Sequence, residues 1–402
     1  MRTDCDVLVV GAGPVGLFAA VALATRQLRV QVLDERHTSL PGARTFLLHA
    51  RTLELLDEMR VLDAVLAHGQ RIERIELYES ERYAGYWDLS ALSRRFPFVV
   101  SVEASVFEVA LLSRLSELGV EPQRGLSVTS ISQSGTHVGL RLLRRELVAR
   151  GNGDSQLECR DAEVCEKSAS FVIGADGYAS KVRSELEIEW RKKQPLETFV
   201  IGEFETAART VREAAIVFEP DAVSAFFVLP HAVHLAFQVS SGLDRGPTEL
   251  ALRELLQQRL PWLEPELGEL RWAQLTHFER MLADSFGKRR VWLAGDAAHV
   301  TSPIGMQSAN GGLYEACELA RCMSRILTGR ATQEALETFD RQRRLEWSVL
   351  LGDRQGRSQK RSGFWLPENA ARIVPCIPAA GCDWNPLLHQ AGLELTELRG
   401  PA

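Results

Sequence analysis

Three continuous apolar runs along the chain lead into stretches of small residues that begin with Gly-Ala or Gly-Asp. These runs lie at residues 7–10, 171–173 and 291–294. A short, β-branched run without polar alternation is typical of a strand that is covered on both faces, as in a parallel sheet. Apolar residues at helical spacing follow the first run and the third. The pattern predicts an α/β fold with a parallel sheet, and it places the start of the helix after the third run near Leu313.

A second pattern, of short strand-like runs separated by turn residues, fills the segments between these runs. Residues 71–80 alternate between polar and apolar side chains, as in a half-exposed strand. Four further runs follow Gly174, the glycine after the second apolar run, namely FVIGEFETA, EAAIVFEP, AVSAFFVLP and AVHLAFQVSS. They predict an antiparallel sheet, interleaved with the parallel one and covered by a helix at residues 248–260.

Composition and charge exclude several classes of protein. The 402 residues are 45% apolar and 25% charged, and the net charge of −6 disfavours a nucleic-acid partner. The seven cysteines form no CxxC pair, and no His/Cys cluster has metal-ligand spacing, so we expect reduced thiols and no metal. Asp4 and Asp6 precede the apolar stretch 7–24, and glycines and a proline interrupt it. We therefore expect a cytoplasmic protein without a membrane span.

The first glycine turn matches a dinucleotide-binding motif. Gly11, Gly13 and Gly16 fit G-x-G-x-x-G, in which the first glycine allows a tight turn and the second admits a pyrophosphate. Such a turn can also be purely structural. A second strand, however, ends in Asp34, 23 positions after Gly11, where a carboxylate reaches ribose hydroxyls. Glu35 is an alternative that the spacing favours less, and the combination predicts dinucleotide binding.

The other two motifs complete a family resemblance. The second motif, GADGYAS at residues 174–180, can be a simple turn in which Asp176 caps a helix. The third is GDAAHVTSPIGMQSANGG at residues 295–312. Three such motifs in this order resemble the flavoprotein aromatic hydroxylases, the class A FAD monooxygenases built like 4-hydroxybenzoate hydroxylase. The resemblance covers about residues 5–345.

The resemblance implies an FAD cofactor and assigns residues to it. The first motif and Asp34 would hold the ADP half. Arg44 matches an arginine that touches the pyrophosphate, and Asp176 with Gly177 matches a motif near it. Gly295 and Asp296 match the pair at the ribityl chain and pyrophosphate. The loop and helix start beside the isoalloxazine ring are matched by Pro303, Gly305, Gln307 and Asn310. No catalytic side chain is assigned, because the flavin carries the chemistry.

Two positions depart from the family pattern. Glu103 stands where a glutamine is usual, and a carboxylate cannot donate the bonds of an amide. Ser308 replaces a glycine beside the flavin, in the sequence Met306-Gln307-Ser308. His299 is expected to support the loop rather than act as a base. Candidate substrate contacts, each individually weak, are Phe204, Phe218, Phe226, Phe227, His231, His234 and Phe237.

The resemblance also implies the domain organisation. The fold class is α/β, an FAD-binding Rossmann-like domain interleaved with an α+β substrate domain that carries the antiparallel sheet. The FAD-binding domain is assigned to residues 1–72, 99–183 and 272–345. The substrate domain is assigned to residues 73–98 and 184–271, and a C-terminal helical extension to residues 346–402. The thioredoxin-like domain of larger family members is expected to be absent.

The implied function is that of an FAD-dependent monooxygenase. NADPH or NADH, bound transiently, would reduce the flavin, and O₂ would form a C4a-hydroperoxide that hydroxylates an aromatic or polyketide-like molecule. Members of the family often form homodimers, and the sequence leaves the oligomeric state of this chain open. An epoxidase, a flavin reductase of isoprenoid double bonds and a non-catalytic FAD-binding partner remain open. A halogenase is disfavoured, because no two tryptophans have the Trp-x-Trp spacing of that group.

Overall fold

The computed structural model describes residues 3–38, 45–149, 157–206, 212–240, 247–263, 267–351 and 370–393. Arg44, which the resemblance assigns to FAD, lies outside them. The helices are α1 Pro14–Thr25, α2 Ala50–Glu58, α3 Leu62–His68, α4 Ala104–Glu117, α5 Lys181–Glu185, α6 Glu249–Arg259, α7 Gln307–Leu327, α8 Glu334–Leu350, α9 Ala370–Ile373 and α10 Trp384–Gln390. Among these helices, none is both long and apolar enough to cross a membrane.

The strands form four sheets within the described residues. In the first half of the chain they are β1 Cys5–Val10, β2 Val30–Asp34, β3 Thr45–Leu48, β4 Gln70–Ile72, β5 Arg74–Glu79, β6 Arg82–Asp88, β7 Val99–Glu103, β8 Gln123–Arg124, β9 Leu126–Gln133, β10 Val138–Ala149 and β11 Leu157–Gly174. In the second half they are β12 Trp190–Lys192, β13 Glu197–Glu205, β14 Ala214–Phe218, β15 Val223–Val228, β16 Ala232–Val239, β17 Leu270–Phe278, β18 Met281–Ala283, β19 Gly287–Lys288, β20 Val291–Leu293 and β21 His299–Val300.

An eight-stranded sheet has a parallel centre in the order β20-β11-β1-β2-β8. Antiparallel strands flank it, with β19 beside β20 and the β9–β10 hairpin against β11. Helix α1 packs against α4 and α7. It is apolar all round and buried from Gly16 to Leu23, as expected for a helix enclosed on every side.

A seven-stranded sheet, in the order β17-β13-β16-β15-β14-β5-β6, forms the second layer. All its strand pairs are antiparallel except β14–β5. The four predicted runs are β13 to β16, and the predicted covering helix is α6. Arg259 at the end of α6 donates to Ser224 Oγ on β15 at 2.9 Å, which fixes the covered face of the sheet. The predicted α/β fold with a second, antiparallel sheet is confirmed.

The described C-terminal segment, residues 370–393, binds to the second layer at two places. Arg372 donates to the carbonyl oxygens of Glu219 and Ala222, at 2.6 and 2.7 Å. The Gln390 side chain accepts from Asp88 N–H at 2.8 Å and donates to the same residue's carbonyl at 3.0 Å. The segment therefore connects the hairpin of β14 and β15 with the end of β6.

Candidate functional site

The three motifs meet at one edge of the parallel sheet. Gly11 N–H donates to Leu33 O at 2.7 Å, and Ala175 N–H donates to Val10 O at 2.7 Å. Ala294 N–H continues the series to Gly174 O at 3.0 Å. These bonds extend β20, β11, β1 and β2 past their carboxyl ends. Ligands of α/β proteins bind at this edge of the sheet.

The three glycines of the first motif have different surroundings. Gly11 has φ +106°, and a Cβ on it would lie 2.2 Å from Ala175 O. A Cβ on Gly16 would lie 1.9 Å from Gly11 O, whereas one on Gly13 would meet nothing within 4 Å. Gly11 and Gly16 are therefore needed for packing, while Gly13 borders open space at the start of α1. That helix start has neither a side-chain cap nor an acid in its first turn, so its N–H groups can bind an anion.

Asp34 lies beside this turn and is buried. Its Oδ2 accepts from Ala12 N–H at 2.6 Å, and its Oδ1 accepts from Arg36 N–H at 2.8 Å. Each carboxylate oxygen can accept a second bond. Asp34 thus holds the turn in place and keeps acceptor capacity for the hydroxyls of a ribose.

Asp176 in the second motif organises the turn into α5. Its oxygens accept from Ser180 Oγ at 2.6 Å and from Val182 N–H at 3.0 Å, and burial raises the pKa of its carboxyl. Arg183 on α5 donates to Ala297 O at 2.9 Å, which links the second motif to the third. The N-cap of α5 is Ser180, whose Oγ accepts from Arg183 N–H at 2.9 Å, and Asp176 supports this cap rather than forming it. A contact of Asp176 with FAD stays a prediction.

The turn at Gly295 is in direct contact with the first motif. Gly295 has φ +64°, and a Cβ on it would lie 3.0 Å from the side chain of Val15. A Cβ on Gly312 in α7 would lie only 2.7 Å from Gly295 Cα. Small residues at 295 and 312 thus let α7 pack closely against the turn that carries Asp296.

Glu315, which sequence reasoning missed, lies at the centre of a buried network under this turn. Its Oε2 accepts from Gly295 N–H at 3.0 Å and lies 2.8 Å from His299 Nε2. Its Oε1 accepts from Trp347 Nε1 at 2.7 Å, and the Trp347 ring stacks on His299 with 3.6 Å between centroids. His299 and Glu315 are both fully buried. His299 therefore supports the loop, and no local pattern in the sequence joins it to α8.

The side chain of Asn310 is used entirely within the protein. Its oxygen accepts from His49 N–H at 2.9 Å and from Thr52 Oγ1 at 2.7 Å. Its amide donates to Leu47 O and Met306 O at 2.8 and 2.9 Å. Asn310 joins α7 to the segment between β3 and α2, so any contact with a flavin here comes from backbone groups.

Gly305 and Gln307 contact the C-terminal segment. Gln307 Nε2 donates to Ala379 O at 3.0 Å and also to Ile377 O. A Cβ on Gly305 would lie 2.1 Å from Pro375 O. The segment therefore packs against the loop that the resemblance places beside the isoalloxazine ring.

Helix α7 begins earlier than the sequence predicts. We expected its start near Leu313, but it starts at Gln307, and Met306 precedes it with φ +50°. Ser308 does not strain the backbone, because it lies within α7 and has no positive φ. Its Oγ accepts from Thr301 N–H at 3.0 Å across the loop. A run of small residues looks like a loop in the sequence. It is helical here because Gly311 lies against the ring of Trp347.

Glu103, in the usual place of a glutamine, has a protein partner. Its Oε1 lies 3.2 Å from Arg271 Nη1 on β17, across the boundary between the two sheets. The substitution is thus matched by a cation, and the carboxylate connects the start of α4 to the second layer.

The predicted substrate contacts fall on opposite faces of the seven-stranded sheet. Strand register puts Phe218, Phe227 and His234 on the face opposite α6. The buried rings of Phe204, Phe226 and Phe237 lie on the face toward α6, so they are core residues rather than substrate contacts. His231 is exposed in the turn before β16.

These observations test whether FAD fits the site. Two uncapped helix starts, of α1 and α7, and the open space at Gly13 suit a pyrophosphate and the pyrimidine edge of a flavin. A second layer carries an aromatic-bearing face opposite α6. Together they define the class of flavoproteins in which a parallel-sheet domain holds FAD and an antiparallel sheet covers it.

The chain belongs to the family described as FAD binding domain, whose model matches residues 4–350. It is 25% identical to rifampicin monooxygenase of Rhodococcus hoagii, over 92% of this chain and 74% of that protein. It is 28% identical to anhydrotetracycline monooxygenase of Streptomyces rimosus, over 84% of this chain and 66% of the relative. The structure is similar to that of p-nitrophenol 4-monooxygenase of Pseudomonas putida, with a TM-score of 0.71 and 22% sequence identity. The match covers 86% of this chain and 86% of that one. The predictions of the family, of FAD and of the monooxygenase class are confirmed.

Proposed function

We propose that this chain uses FAD, NADPH or NADH and O₂ to hydroxylate an aromatic or polyketide-like small molecule. The meeting of three glycine motifs at one sheet edge, below a second sheet, carries this proposal. Relatives named for rifampicin and anhydrotetracycline support the substrate class. Epoxidase, halogenase and reductase activities are not favoured by these relatives.

The residues divide the work of holding the cofactor. In our proposal the N–H groups at the start of α1, with Gly11, Gly13, Gly16 and Asp34, hold the ADP half. We assign the rest of the cofactor to a second set of residues, which the family resemblance matches to FAD contacts. These residues are Arg44, Asp176, Gly295, Asp296, Pro303, Gly305, Gln307 and Asn310. Bound FAD supplies the redox chemistry.

The chain's own contribution is to orient the substrate and exclude water. The loop at residues 301–307 contacts the C-terminal segment, whose backbone carbonyls hold Gln307. In our proposal the other side of this loop borders the flavin. The face of the seven-stranded sheet with Phe227 and His234 is the surface that we assign to the substrate. In our proposal the reacting atoms lie between the two layers, which exclude bulk water from them.

The first test is NADPH oxidation in air by the purified, FAD-loaded protein, with hydrogen peroxide measured alongside. Slow oxidation that yields peroxide is expected without substrate, and added phenols and polyketides should raise the rate and lower the peroxide yield. Incorporation of ¹⁸O from ¹⁸O₂ as a hydroxyl identifies hydroxylation. Oxygen-independent reduction of an alkene would overturn the proposal. Light scattering of the same sample tests whether the protein is a homodimer, as family members often are.

Asp296→Ala tests the third motif. It should cost most of the FAD affinity and leave the fold intact, because the exposed carboxylate follows the turn at Gly295. The matched control is Asp221→Ala, at an exposed position in the turn after β14. Full FAD occupancy in Asp296→Ala would show that the third motif has another role.

A further inference from the structure

A buried carboxylate and an imidazole lie opposite each other in the sheet that covers the site. Glu203 on β13 pairs in register with His234 on β16, and His234 Nδ1 lies 3.1 Å from Glu203 Oε1. The Thr45 hydroxyl donates to the same oxygen from β3. The pair therefore lies on the sheet face opposite α6, where that face meets the three-stranded sheet β3-β7-β4.

The charges around Glu203 keep its carboxylate ionised. Burial raises the pKa of Glu203, but the neighbouring side chains of His234, Thr45 and Trp272 together lower it by more, so the net pKa is below its usual value. Arg271 Nη1 lies 3.7 Å from Glu203 Oε2 and 3.2 Å from Glu103 Oε1. The side chain of Glu203 is only 1% exposed.

One oxygen of this carboxylate has no hydrogen bond. Glu203 Oε2 is buried and finds no donor at hydrogen-bond distance in the described part of the chain. Buried acceptors are almost always satisfied, and a charged one is especially costly to leave unpaired. The indole Nε1 of Trp272, which pairs with Glu203 across the strands, is likewise buried without a partner at hydrogen-bond distance in the described residues. A ligand hydroxyl that accepts from this N–H and donates to Oε2 would satisfy both groups.

Aromatic side chains surround the pair. The Phe227 ring stacks on the His234 ring, with 4.6 Å between centroids and 21° between planes. Trp272 lies directly across the strand pair from Glu203, 6.1 Å from the His234 ring. An ionised acceptor beside aromatic rings suits a flat ligand that carries a hydroxyl group.

We propose that Glu203 and His234 form a hydroxyl-binding subsite for phenolic or enolic substrates, in which Glu203 Oε2 accepts the substrate O–H. This inference rests on the proposed function, because it assigns the subsite to the substrate face. No bond breaks in this step, since the proton stays on the ligand oxygen. The carboxylate selects a neutral hydroxyl and repels a carboxylate or a phenolate at the same position.

The test is ligand binding by the FAD-loaded protein, followed as a flavin difference spectrum. The probes are 4-nitrophenol with 4-nitroanisole, and 1,8-dihydroxyanthraquinone with its dimethyl ether. Wild type should bind at least one hydroxyl compound about tenfold or more tightly than its ether, a difference that a charge-assisted hydrogen bond supports. Glu203→Gln should remove most of this preference. Glu205→Gln, the same change at an exposed position on β13, should keep it.

The pH dependence separates recognition from support of the fold. In wild type the affinity for 4-nitrophenol should fall as the pH rises through the pKa of the phenol, because the phenolate lacks the donor and is repelled. Glu203→Gln should weaken this dependence. Thr45→Val removes only the hydrogen bond between the layers, so a purely structural role predicts that it acts like Glu203→Gln.

Three results would overturn the subsite. In the first, the wild type binds none of the probes, or binds hydroxyl compounds and ethers equally. In the second, Glu203→Gln keeps the preference for the hydroxyl compound. In the third, Thr45→Val loses as much of that preference as Glu203→Gln does. The wild-type comparison decides even where a variant fails to fold. Oxygenation of the same probes is scored separately. If the protein prefers the hydroxyl compounds but oxygenates none of them with any electron donor, only the proposed function is overturned. If it oxygenates the phenol and the ether equally, only the subsite is overturned.

Discussion

Met306 holds a backbone conformation that most residues avoid. Its φ of +50° and ψ of +33° are left-handed, at the position that precedes α7. Met306→Gly should be more stable than Met306→Ala by about 1 kcal/mol, because both lose the side chain but only glycine is free of the left-handed penalty. Urea unfolding of the two variants measures the difference. Equal stabilities would mean that the loop relaxes to another conformation in solution.

His49 links stability to pH. Burial lowers the pKa of its imidazole from 6.5 to about 4, against a smaller raising effect of the bond to Gly305 O. The ring is therefore neutral in the folded protein near neutral pH, while an unfolded chain takes up a proton below pH 6.5. Stability should fall as the pH drops from 6.5 to 4, with a His49 contribution of about 3 kcal/mol.

Unfolding free energies of wild type and His49→Gln across this pH range measure that contribution. Gln can still donate to the Gly305 carbonyl but does not titrate, so the variant should lose less stability on acidification. His68→Gln, at an exposed position on α3, is the matched control. Parallel curves for wild type and His49→Gln would show that His49 is not buried as a neutral ring.

At the scale of elements, the turn between β1 and α1 separates packing from binding. Gly16→Ala places a Cβ 1.9 Å from Gly11 O and should destabilise the apoprotein by about 3 kcal/mol or more. Gly13→Ala meets nothing within 4 Å, so it should leave the apoprotein within about 1 kcal/mol of wild type. It should nevertheless weaken FAD binding at least about tenfold, because a methyl group occupies the pyrophosphate side.

Thermal unfolding without FAD and titration with FAD measure the two effects separately. Gly13→Ala with normal FAD affinity would mean that the pyrophosphate does not approach this turn. Gly16→Ala with normal stability would mean that α1 and the turn can move apart, contrary to the close contact of Gly16 with Gly11 O.

Features that depend on residues close together in the sequence could be predicted, whereas features that depend on distant residues could not. The Gly11, Gly13 and Gly16 spacing and the strand that ends in Asp34 are local, and their elements are found as expected. The start of α7 was placed too late. Its small residues are helical because of contacts with Trp347 and Gly295, which lie elsewhere in the chain.

The pairs that sequence reasoning missed are long-range. Glu203 and His234 come together only through the register of β13 and β16, and Asn310 finds its partners in the segment after β3. The sequence of a strand also does not show which of its two faces points toward α6. The positions of Phe226 and Phe227 on opposite faces could therefore not be predicted. The domain boundaries and the FAD contacts of single residues stay predictions.

At the scale of the whole molecule, the C-terminal segment joins both layers to the candidate site. Arg94 Nε lies 2.9 Å from Asp383 Oδ2, and Gln307 Nε2 donates to Ala379 O at 3.0 Å. With the bonds of Arg372 and Gln390, these contacts hold residues 370–393 across the sheet and the loop before α7. The position of that loop therefore depends on the docking of this segment.

Gln307→Glu should release the segment from the loop. The new carboxylate would face two carbonyl oxygens that now accept from an amide, at a cost of about 2–4 kcal/mol. We expect faster proteolysis near residue 380 and more peroxide per NADPH oxidised, because an opened site admits water. Gln133→Glu is the matched control, since Gln133 Oε1 only accepts from Arg290 N–H and a carboxylate can do the same. Unchanged proteolysis with unchanged peroxide yield would show that the segment docks independently of Gln307. A changed peroxide yield alone would place the effect of Gln307 at the flavin itself.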